Sequence, residues 1–347
     1  MPPPDGLGVG LIGAGAMGRV HAGNLARCPD GARLVAVADP DPAAAEEIAS
    51  RLGVPAVYAT AEELLTDPAV EAVVIASPAS THVHLIGSAA AACRHIFCEK
   101  PIGLDLVAID AALAEVTRNR VMLQVGFQRR FDRSFRRARD LIAEGTIGRP
   151  RLARITSRDP RPPSIAYLRE SGGLFMDMTI HDFDMARFLV ADEVQEVTAL
   201  GAVLVDPAIG SEANDFDTSI VTLRFAGGAL GVIENCRQTA YGYDQRVEVF
   251  GSEGTVTVDN EGVDGAVLTT GEGTRSARPR PGFMERYAVA YAAEMQAFVG
   301  AVRNGRAPEV GGRDGRAPVA IALAAQRSAR ESRPVLVSSV ESGTAGM

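Results

Sequence analysis

Short uninterrupted apolar runs alternate with longer Ala-rich segments of helical periodicity through residues 1–125. Uninterrupted runs are typical of strands that a parallel sheet buries on both faces, and right-handed helical crossovers usually connect such strands. The runs read LGVGLIG, RLVAVAD, AVVIASP, HIFCEKP and VMLQVGF. We therefore predict that residues 1–125 form a doubly wound α/β domain of the Rossmann type, with helices on both sheet faces.

From about Phe127 the runs become longer, alternate apolar with polar residues and are separated by turn residues. Gly227 and Gly228 lie between two such runs and a similar turn lies at 252–254, so both places predict hairpins. The expected sheet is large and mostly antiparallel, with one face under helices and the other available to a second subunit. The helical segments lie at 174–189, 287–302 and 317–328. Residues 126–347 are thus predicted to be a domain for substrate binding and oligomerisation.

Composition excludes several classes of protein. No run approaches the roughly 20 apolar residues of a membrane span, and hydrophobic residues make up 46% and charged residues 22% of the chain. The net charge of −8 and the lack of a basic run argue against a nucleic-acid partner. Because the start MPPPDG has no secretory signal, we expect a cytoplasmic protein.

The cysteines show no CxxC pair and no histidine at metal-ligand spacing, so we expect buried free thiols and neither a disulfide nor a metal site. These residues are Cys28, Cys93, Cys98 and Cys236. We expect structural roles for His21 and His95. The same is expected for His82 and His84, although these two could touch a cofactor or substrate.

The first apolar run leads directly into GAGAMG and then into a helix, so Gly13, Gly15 and Gly18 have the spacing of a dinucleotide fingerprint. The first glycine permits a tight turn, the second lets the backbone approach a pyrophosphate, and the third lets helix and strand pack closely. Asp39 ends the second run 21 positions after Gly18, where a carboxylate binds the adenosine ribose. Its charge disfavours a 2′-phosphate, so the pattern predicts NAD rather than NADP.

The carboxyl ends of parallel strands line the crevice in which a nicotinamide ring binds. Ser77 and Pro78 end the run AVVIASP, and Glu99 and Lys100 lie at the end of the run HIFCEKP. Pro101 keeps Lys100 out of helical geometry, and partial burial would lower the pKa of its ammonium toward proton transfer. Oxidation of an alcohol without a metal needs such a side-chain base.

A second candidate lies in the segment SGGLFMDMTIHDFDMARFL. Asp177, His181 and Asp184 are spaced i, i+4 and i+7, which predicts that they share one face of a helix. A histidine among carboxylates on an otherwise apolar helix is unusual for a solvent-facing surface, so we predict a catalytic role.

The GAGAMG turn, the EKP sequence after the fifth strand and GGLFMDMTIHDFDMARF together resemble the Gfo/Idh/MocA oxidoreductases over nearly the whole chain, and most of all the branch that acts on inositol. The resemblance implies that Lys100, Asp177 and His181 are catalytic. His181 would take the hydroxyl proton, Asp177 would orient it, and Lys100 would hydrogen-bond the same oxygen. It also implies a cis bond between Lys100 and Pro101, and a homotetramer built on the open sheet face.

The implied cofactor is NAD and the implied substrate a cyclic polyol, with myo-inositol and inositol catabolism as the first expectation. The predicted cofactor site comprises Gly13, Gly15, Ala16, Met17, Gly18, Asp39, Ser77, Pro78, Glu99 and Lys100. The predicted substrate site comprises Lys100, Gln128, Arg129, Ser157, Asp159, Asp177, His181, and Tyr241 or Tyr243. Ser157 and Asp159 stand where some members carry His and Asn, and Gln128 where others carry Met, so the preferred ring isomer stays open.

Other functions fit parts of the same pattern. A dehydrogenase of scyllo-inositol, of an aminocyclitol such as scyllo-inosamine or of a pyranose would use the same three catalytic residues. A catalytically silent NAD-binding sensor would need only the glycine turn and Asp39, and an NAD-dependent glycosidase would release a leaving group without accumulating NADH.

Overall fold

The computed structural model describes residues 6–28 and 31–342. Contacts between Cα atoms divide the chain into two compact units. Unit 1 takes Met1–Phe131 and Ala290–Val319, and unit 2 takes Asp132–Val289 and Ala320–Met347. The prediction of one boundary near residue 125 did not include the return of Ala290–Val319 to unit 1.

Unit 1 begins with an alternation of strands and helices. In order they are β1 (Leu7–Ile12), α1 (Ala16–Ala26), β2 (Ala32–Ala38), α2 (Pro42–Leu52), β3 (Ala56–Tyr58), α3 (Ala61–Thr66), β4 (Ala72–Ile75), α4 (Ala79–Ala91), β5 (His95–Glu99), α5 (Leu106–Arg118) and β6 (Leu123–Gly126). All strand pairs are parallel, in the order β3-β2-β1-β4-β5-β6. This is the predicted doubly wound sheet, whose order reverses between β1 and β4.

Local sequence signals set the ends of these helices. Asp41 caps α2 by accepting a hydrogen bond from the Ala43 N–H at 3.1 Å, and Gly53 ends that helix with φ +67°. Thr60 and Glu63 form a capping box at the start of α3. Strands β1 and β4 are buried at every residue, as the uninterrupted apolar runs predicted, whereas the edge strand β3 is partly exposed.

Residues from the far end of the chain complete the core of unit 1. Helix α11 (Phe283–Arg303) contributes Met295, Phe298 and Val299 to the apolar cluster around β1 and β2. The Phe298 ring meets Phe97 edge-on at 5.8 Å. The prediction that the whole segment 287–302 covers the antiparallel sheet is therefore wrong for its larger part.

Unit 2 combines short helices with long strands. In order its elements are α6 (Arg133–Ala143), β7 (Pro150–Arg158), α7 (Ile165–Glu170), α8 (Leu174–Asp177), α9 (Ile180–Val190), β8 (Val194–Ala202), α10 (Pro207–Ala213), β9 (Thr218–Phe225), β10 (Leu230–Cys236), β11 (Asp244–Gly251), β12 (Thr255–Val258), β13 (Val267–Thr270), β14 (Gly273–Ser276), part of α12 (Gly312–Glu331), β15 (Val335–Leu336) and α13 (Val337–Ser342). Seven strands form one sheet in the order β12-β11-β7-β10-β9-β8-β15, and only the β7–β10 pair is parallel. Both predicted hairpins, β9–β10 and β11–β12, are present.

The two faces of this sheet differ in exposure. Along β9, alternate residues such as Val221 and Leu223 are buried, and α9 contacts β7 on the buried side. Residues on the other face of the sheet stay exposed, and several of them are apolar. These apolar residues are Leu200, Ile220, Leu230 and Phe250, which are between 44% and 66% accessible.

The cysteine side chains differ in burial more than predicted. Cys98 is buried, and burial raises its pKa well above the ordinary value. Cys93 is exposed, contrary to the expectation, because it follows α4 in a left-handed conformation with φ +58°. Within 6–28 and 31–342 there is no helix with the length and apolar content needed to cross a bilayer.

Candidate active site

The three glycines after β1 differ in the space around them. Gly13 has φ +100°, and a Cβ added there would lie 2.7 Å from the carbonyl carbon of Ala76, so both conformation and surroundings require glycine. A Cβ on Gly18 would lie 2.0 Å from the Gly13 carbonyl oxygen, which explains the close packing of α1 on β1. A Cβ on Gly15 would meet nothing within 4 Å, so this glycine borders open space.

The start of α1 has the properties of an anion site. Gly15 is exposed and precedes the helix, and no side chain caps it by a hydrogen bond. The first turn of the helix begins with Ala16, which is exposed, and Met17, which is half-buried. Their N–H groups point out of the helix end, where the helix dipole favours negative charge, so a pyrophosphate fits here.

Asp39 follows β2 and faces the glycine turn. Its Oδ2 accepts a hydrogen bond from the Ala14 N–H at 2.6 Å, and its Oδ1 accepts one from the Asp41 N–H at 2.8 Å. The backbone thus fixes the carboxylate beside the turn, at the place where the fingerprint puts the ribose.

His82 joins the loops that follow β4 and β5. It is buried, with Nδ1 2.8 Å from the Pro101 carbonyl oxygen and Nε2 2.9 Å from the Ser77 carbonyl oxygen. Burial lowers its pKa, although both carbonyls favour the protonated ring. Its structural role is confirmed. Pro78, beside Ser77, is exposed.

The end of β5 carries Glu99 and Lys100, and the bond from Lys100 to Pro101 is cis, as the resemblance implied. Glu99 is 7% exposed, and its Oε2 accepts a hydrogen bond from the Lys100 backbone N–H at 3.2 Å. Lys100 itself is half-buried. The glutamate therefore holds the backbone of the lysine.

Asp177 and His181 lie on two helices, not on the one continuous helix that was predicted. Helix α8 ends at Asp177 and α9 begins at Ile180, although the residues between keep right-handed helical angles. Both side chains are half-buried. Asp184, which was predicted to share their helix face, is 1% exposed.

Two donors hold the Asp177 carboxylate in unit 2. The Tyr167 hydroxyl donates to Oδ1 at 2.9 Å, and Arg237 Nη1 donates to Oδ2 at 3.2 Å. Arg237 is fully buried, and its Nη2 lies 3.9 Å from Asp215 Oδ2. Burial raises the pKa of Asp215, although Arg237 and the Leu174 and Phe216 N–H groups oppose this.

Arg237 and Tyr167 were not predicted from the sequence. The strand pattern could have predicted the burial of Arg237. Every second residue of β10 is buried, namely Gly231, Ile233 and Asn235, and Arg237 is the next in this series. An arginine on the inward face of a strand requires a carboxylate partner.

Ser157 lies inside unit 2, in a position that does not favour the predicted substrate contact. It is fully buried, and its Oγ donates to Asp182 Oδ1 at 2.6 Å and lies 2.6 Å from Gln245 Oε1. Asn235 Nδ2 donates to the other oxygen of Asp182 at 2.7 Å. The network fixes Asp182, the neighbour of His181.

The remaining predicted substrate contacts fall in different surroundings. Gln128 and Arg129 lie in a 3₁₀ turn of unit 1, and each is 3% exposed. Tyr241 is 40% exposed and donates to Asp244 Oδ2 at 2.6 Å, whereas Tyr243 is buried with its ring 6.0 Å from that of Tyr287. The half-buried Asp159 donates its N–H to the Cys236 carbonyl oxygen at 2.9 Å.

Two family models match the chain. Residues 7–127 match the oxidoreductase family with an NAD-binding Rossmann fold, and residues 135–257 match the C-terminal domain of the GFO/IDH/MocA proteins. The boundary between the matches falls next to Phe131, where the first segment of unit 1 ends.

Relatives align over almost the full length. The chain is 46% identical to the myo-inositol 2-dehydrogenase of Thermotoga maritima, covering 96% of this chain and 99% of that one. It is 36% identical to the NAD⁺ scyllo-inositol 2-dehydrogenase of Bacillus subtilis, with 94% of each chain covered.

Solved structures have the same fold. A myo-inositol dehydrogenase from Corynebacterium glutamicum superposes with a TM-score of 0.89 at 40% identity, covering 95% of this chain and 98% of that one. The scyllo-inositol dehydrogenase of Lactobacillus casei, with bound NAD(H) and scyllo-inositol, gives a TM-score of 0.89 at 31% identity, covering 96% and 100%.

Proposed function

Because the chain belongs to the GFO/IDH/MocA oxidoreductase family, we propose that it oxidises myo-inositol to 2-keto-myo-inositol with NAD⁺. The observation that carries this is the 46% identity to a myo-inositol 2-dehydrogenase across 96% of the chain. Scyllo-inositol is the second candidate, since a relative of that name is 36% identical over 94% of the chain.

The residues of unit 1 fit NAD. The open space at Gly15 and the uncapped start of α1 suit the pyrophosphate, and Asp39 suits the adenosine ribose. Bound NAD⁺ supplies the acceptor for the hydride that leaves the ring carbon. The negative charge of Asp39 favours NAD⁺ over NADP⁺.

His181 is the proposed base, which takes the proton of the reacting hydroxyl as hydride leaves the same carbon. Asp177 orients the imidazole and stabilises its charged form. The two donors on Asp177, Tyr167 and Arg237, support this role because they favour the ionised carboxylate. Lys100 hydrogen-bonds the substrate oxygen.

The test is NADH formation by the purified protein with NAD⁺ or NADP⁺ and a panel of inositols and pyranoses. We expect NADH with myo-inositol, faster than with any other panel member, and little NADPH. Lys100→Ala and His181→Ala should each abolish turnover while NAD⁺ still binds, because neither residue carries the pyrophosphate. Absence of NADH with the whole panel would overturn the dehydrogenase assignment.

We also propose that the exposed sheet face of unit 2 binds a second copy of the chain in a homotetramer. Leu200, Ile220 and Phe250 leave apolar surface there that a monomer would expose to water. Light scattering of the wild type and of Ile220→Lys tests this, and a wild-type monomer would contradict it. The reaction would serve inositol catabolism in the cytoplasm, where the NAD⁺ pool is available.

A further inference from the structure

Three ionisable side chains meet in the interior of unit 1, each from a different element. His21 comes from α1, Glu99 from the end of β5 and Glu294 from α11. His21 and Glu294 are completely buried and Glu99 is 7% exposed. One nitrogen or carboxylate oxygen of each lies within 4.8 Å of the others. We call these residues the buried trio.

Both carboxyl oxygens of Glu99 lie at hydrogen-bond distance from a nitrogen. Its Oε1 lies 2.7 Å from His21 Nε2, and its Oε2 accepts the Lys100 N–H at 3.2 Å. A Cβ on Gly126 would lie 3.1 Å from the Glu99 carboxyl carbon, so the glycine in β6 leaves room for this carboxylate.

Glu294 has a different environment. Both of its carboxyl oxygens are inaccessible and make no hydrogen bond within the described part of the chain. Burial raises its pKa well above the ordinary value, and the nearby charge of Glu99 raises it further. An ionised carboxylate in such a place would cost several kcal/mol of desolvation free energy, so the neutral acid is favoured.

Amide and aromatic groups border the trio. Gln124 of β6 donates from Nε2 to the Glu294 backbone carbonyl at 2.8 Å, and the rings of Phe97 and Tyr291 lie edge-on to His21 at 5.0 and 6.1 Å. The titratable groups near the trio in the described part of the chain include Tyr291 of α11, Lys100 after β5, and His82 of α4, whose pKa burial lowers although the charge of Glu99 opposes this. The protonation of Glu294 therefore decides whether one or two carboxylate charges lie inside the trio.

We propose that Glu294 is a protonated positioning residue: as a neutral acid it leaves Glu99 as the charged carboxylate of the buried trio, which lies against His21 and anchors the Lys100 backbone. Loss of the Glu294 proton would put a second carboxylate against Glu99 and disturb that anchor. The functional part of this inference rests on the proposed role of Lys100.

The matched variants are Glu294→Gln, which keeps the shape and polarity of the neutral acid, and Glu294→Leu, which removes both. We expect kcat of Glu294→Gln at neutral pH to stay within about threefold of wild type and that of Glu294→Leu to fall by about tenfold, because the Glu99 carboxylate would then face an apolar side chain. The KM for NAD⁺ should change little in either variant. Equal losses in both variants at neutral pH would overturn the proposal.

The pH profile separates a proton-holding role from a purely structural one. As pH rises past the raised pKa of Glu294, wild-type kcat should fall, whereas Glu294→Gln should keep its activity because the amide cannot ionise. An alkaline fall of the same midpoint in both proteins would contradict the proposal.

The proton on Glu294 can be observed without turnover. Infrared spectroscopy of the wild type should show the carbonyl band of a buried carboxylic acid that Glu294→Gln lacks, and this holds even if no inositol is oxidised. Absence of NADH from the wild type would thus overturn the proposed function alone. Stoichiometric zinc or manganese, measured by elemental analysis and lost in Glu294→Gln, would instead overturn the proton assignment, because a divalent cation also balances two charges.

Discussion

Each unit of the protein brings a pair of acids together, and the two pairs are neutralised by different means. In unit 1, Glu99 and Glu294 lie near His21, and burial favours the neutral form of Glu294. In unit 2, Asp177 and Asp215 share the buried guanidinium of Arg237. An arginine keeps its charge at every pH in which proteins fold, whereas a protonated acid does not. The Asp177 side should therefore depend less on pH than the Glu99 side.

The strongest way to break this comparison is to remove the permanent charge. Arg237→Met removes a fully buried cation from between the half-buried Asp177 and Asp215, and we expect about 3–5 kcal/mol of lost unfolding free energy. Inositol oxidation should also fall, because Asp177 would then share a proton with Asp215. Urea unfolding and NADH formation measure the two effects.

The control for this variant is Arg169→Met, which breaks an exposed ion pair with Glu212 in which both side chains are 55% accessible. An exposed pair contributes at most about 1 kcal/mol. If Arg237→Met unfolds no more easily than Arg169→Met, the guanidinium is not what neutralises the acid pair of unit 2.

The second prediction concerns the pH dependence of stability in unit 1. Glu294 has a raised pKa in the folded protein, so the native state keeps a proton that the unfolded chain releases. Its unfolding free energy should fall as pH rises from the ordinary glutamate value, by up to about 1.4 kcal/mol per pH unit, until the folded pKa is passed. Glu294→Gln should lack this slope, so its Tm advantage over wild type should grow from about pH 5 to pH 8. A constant difference between the two Tm curves would mean that Glu294 is ionised in both states.

Sequence patterns predicted the fold better than the chemistry of these two pairs. Uninterrupted strands, the glycine turn and the Gly227–Gly228 turn are local signals, and they gave the parallel sheet and the β9–β10 hairpin. The trio is not local, because Glu294 lies 195 positions after Glu99 and reaches it only through the return of Ala290–Val319 to unit 1. Likewise His21 has no acid at helical spacing, and its partner comes from β5.

Asp177 and His181 show a second limit of periodicity. Their spacing of four was sufficient to pair them, but not to show that the helix is interrupted between α8 and α9. Packing decides this point, since Asp215 accepts the Leu174 N–H at the start of α8 and Thr179 donates to Asn235 at 2.8 Å. These partners are remote in sequence.

A buried carboxylate outside both pairs sharpens the comparison, because it is neutralised by backbone N–H groups. Asp217 is inaccessible and accepts from the N–H groups of Leu204, Val205 and Asp206 at 2.8–3.1 Å. These bonds lower its pKa although burial opposes them. Its stabilising effect is therefore present above the ordinary aspartate value and is lost as pH falls through the lowered one, the reverse of Glu294.

Asp217→Asn should cost about 1–3 kcal/mol near neutral pH, because the amide places an N–H group against backbone donors. The cost should shrink in acid, where the wild-type carboxylate also becomes protonated. Urea unfolding at both pH values measures it, with the exposed Asp264→Asn as control. A cost that stays constant into acid would show that the charge of Asp217 is not what the N–H groups stabilise.

The smallest effect should come from the second donor on Asp177. Tyr167→Phe removes the 2.9 Å hydrogen bond to Oδ1 but leaves Arg237 on Oδ2, so the carboxylate keeps its compensating cation. We expect a loss of about 1 kcal/mol or less in unfolding free energy and a severalfold decrease in kcat for inositol. On the acid side of the profile of kcat against pH, the midpoint should be the same as in wild type, since the hydroxyl carries no charge. If Tyr167→Phe is as damaging as Arg237→Met, then the tyrosine holds Asp177, and the contrast between a permanent cation and a shared proton does not describe how the two units differ.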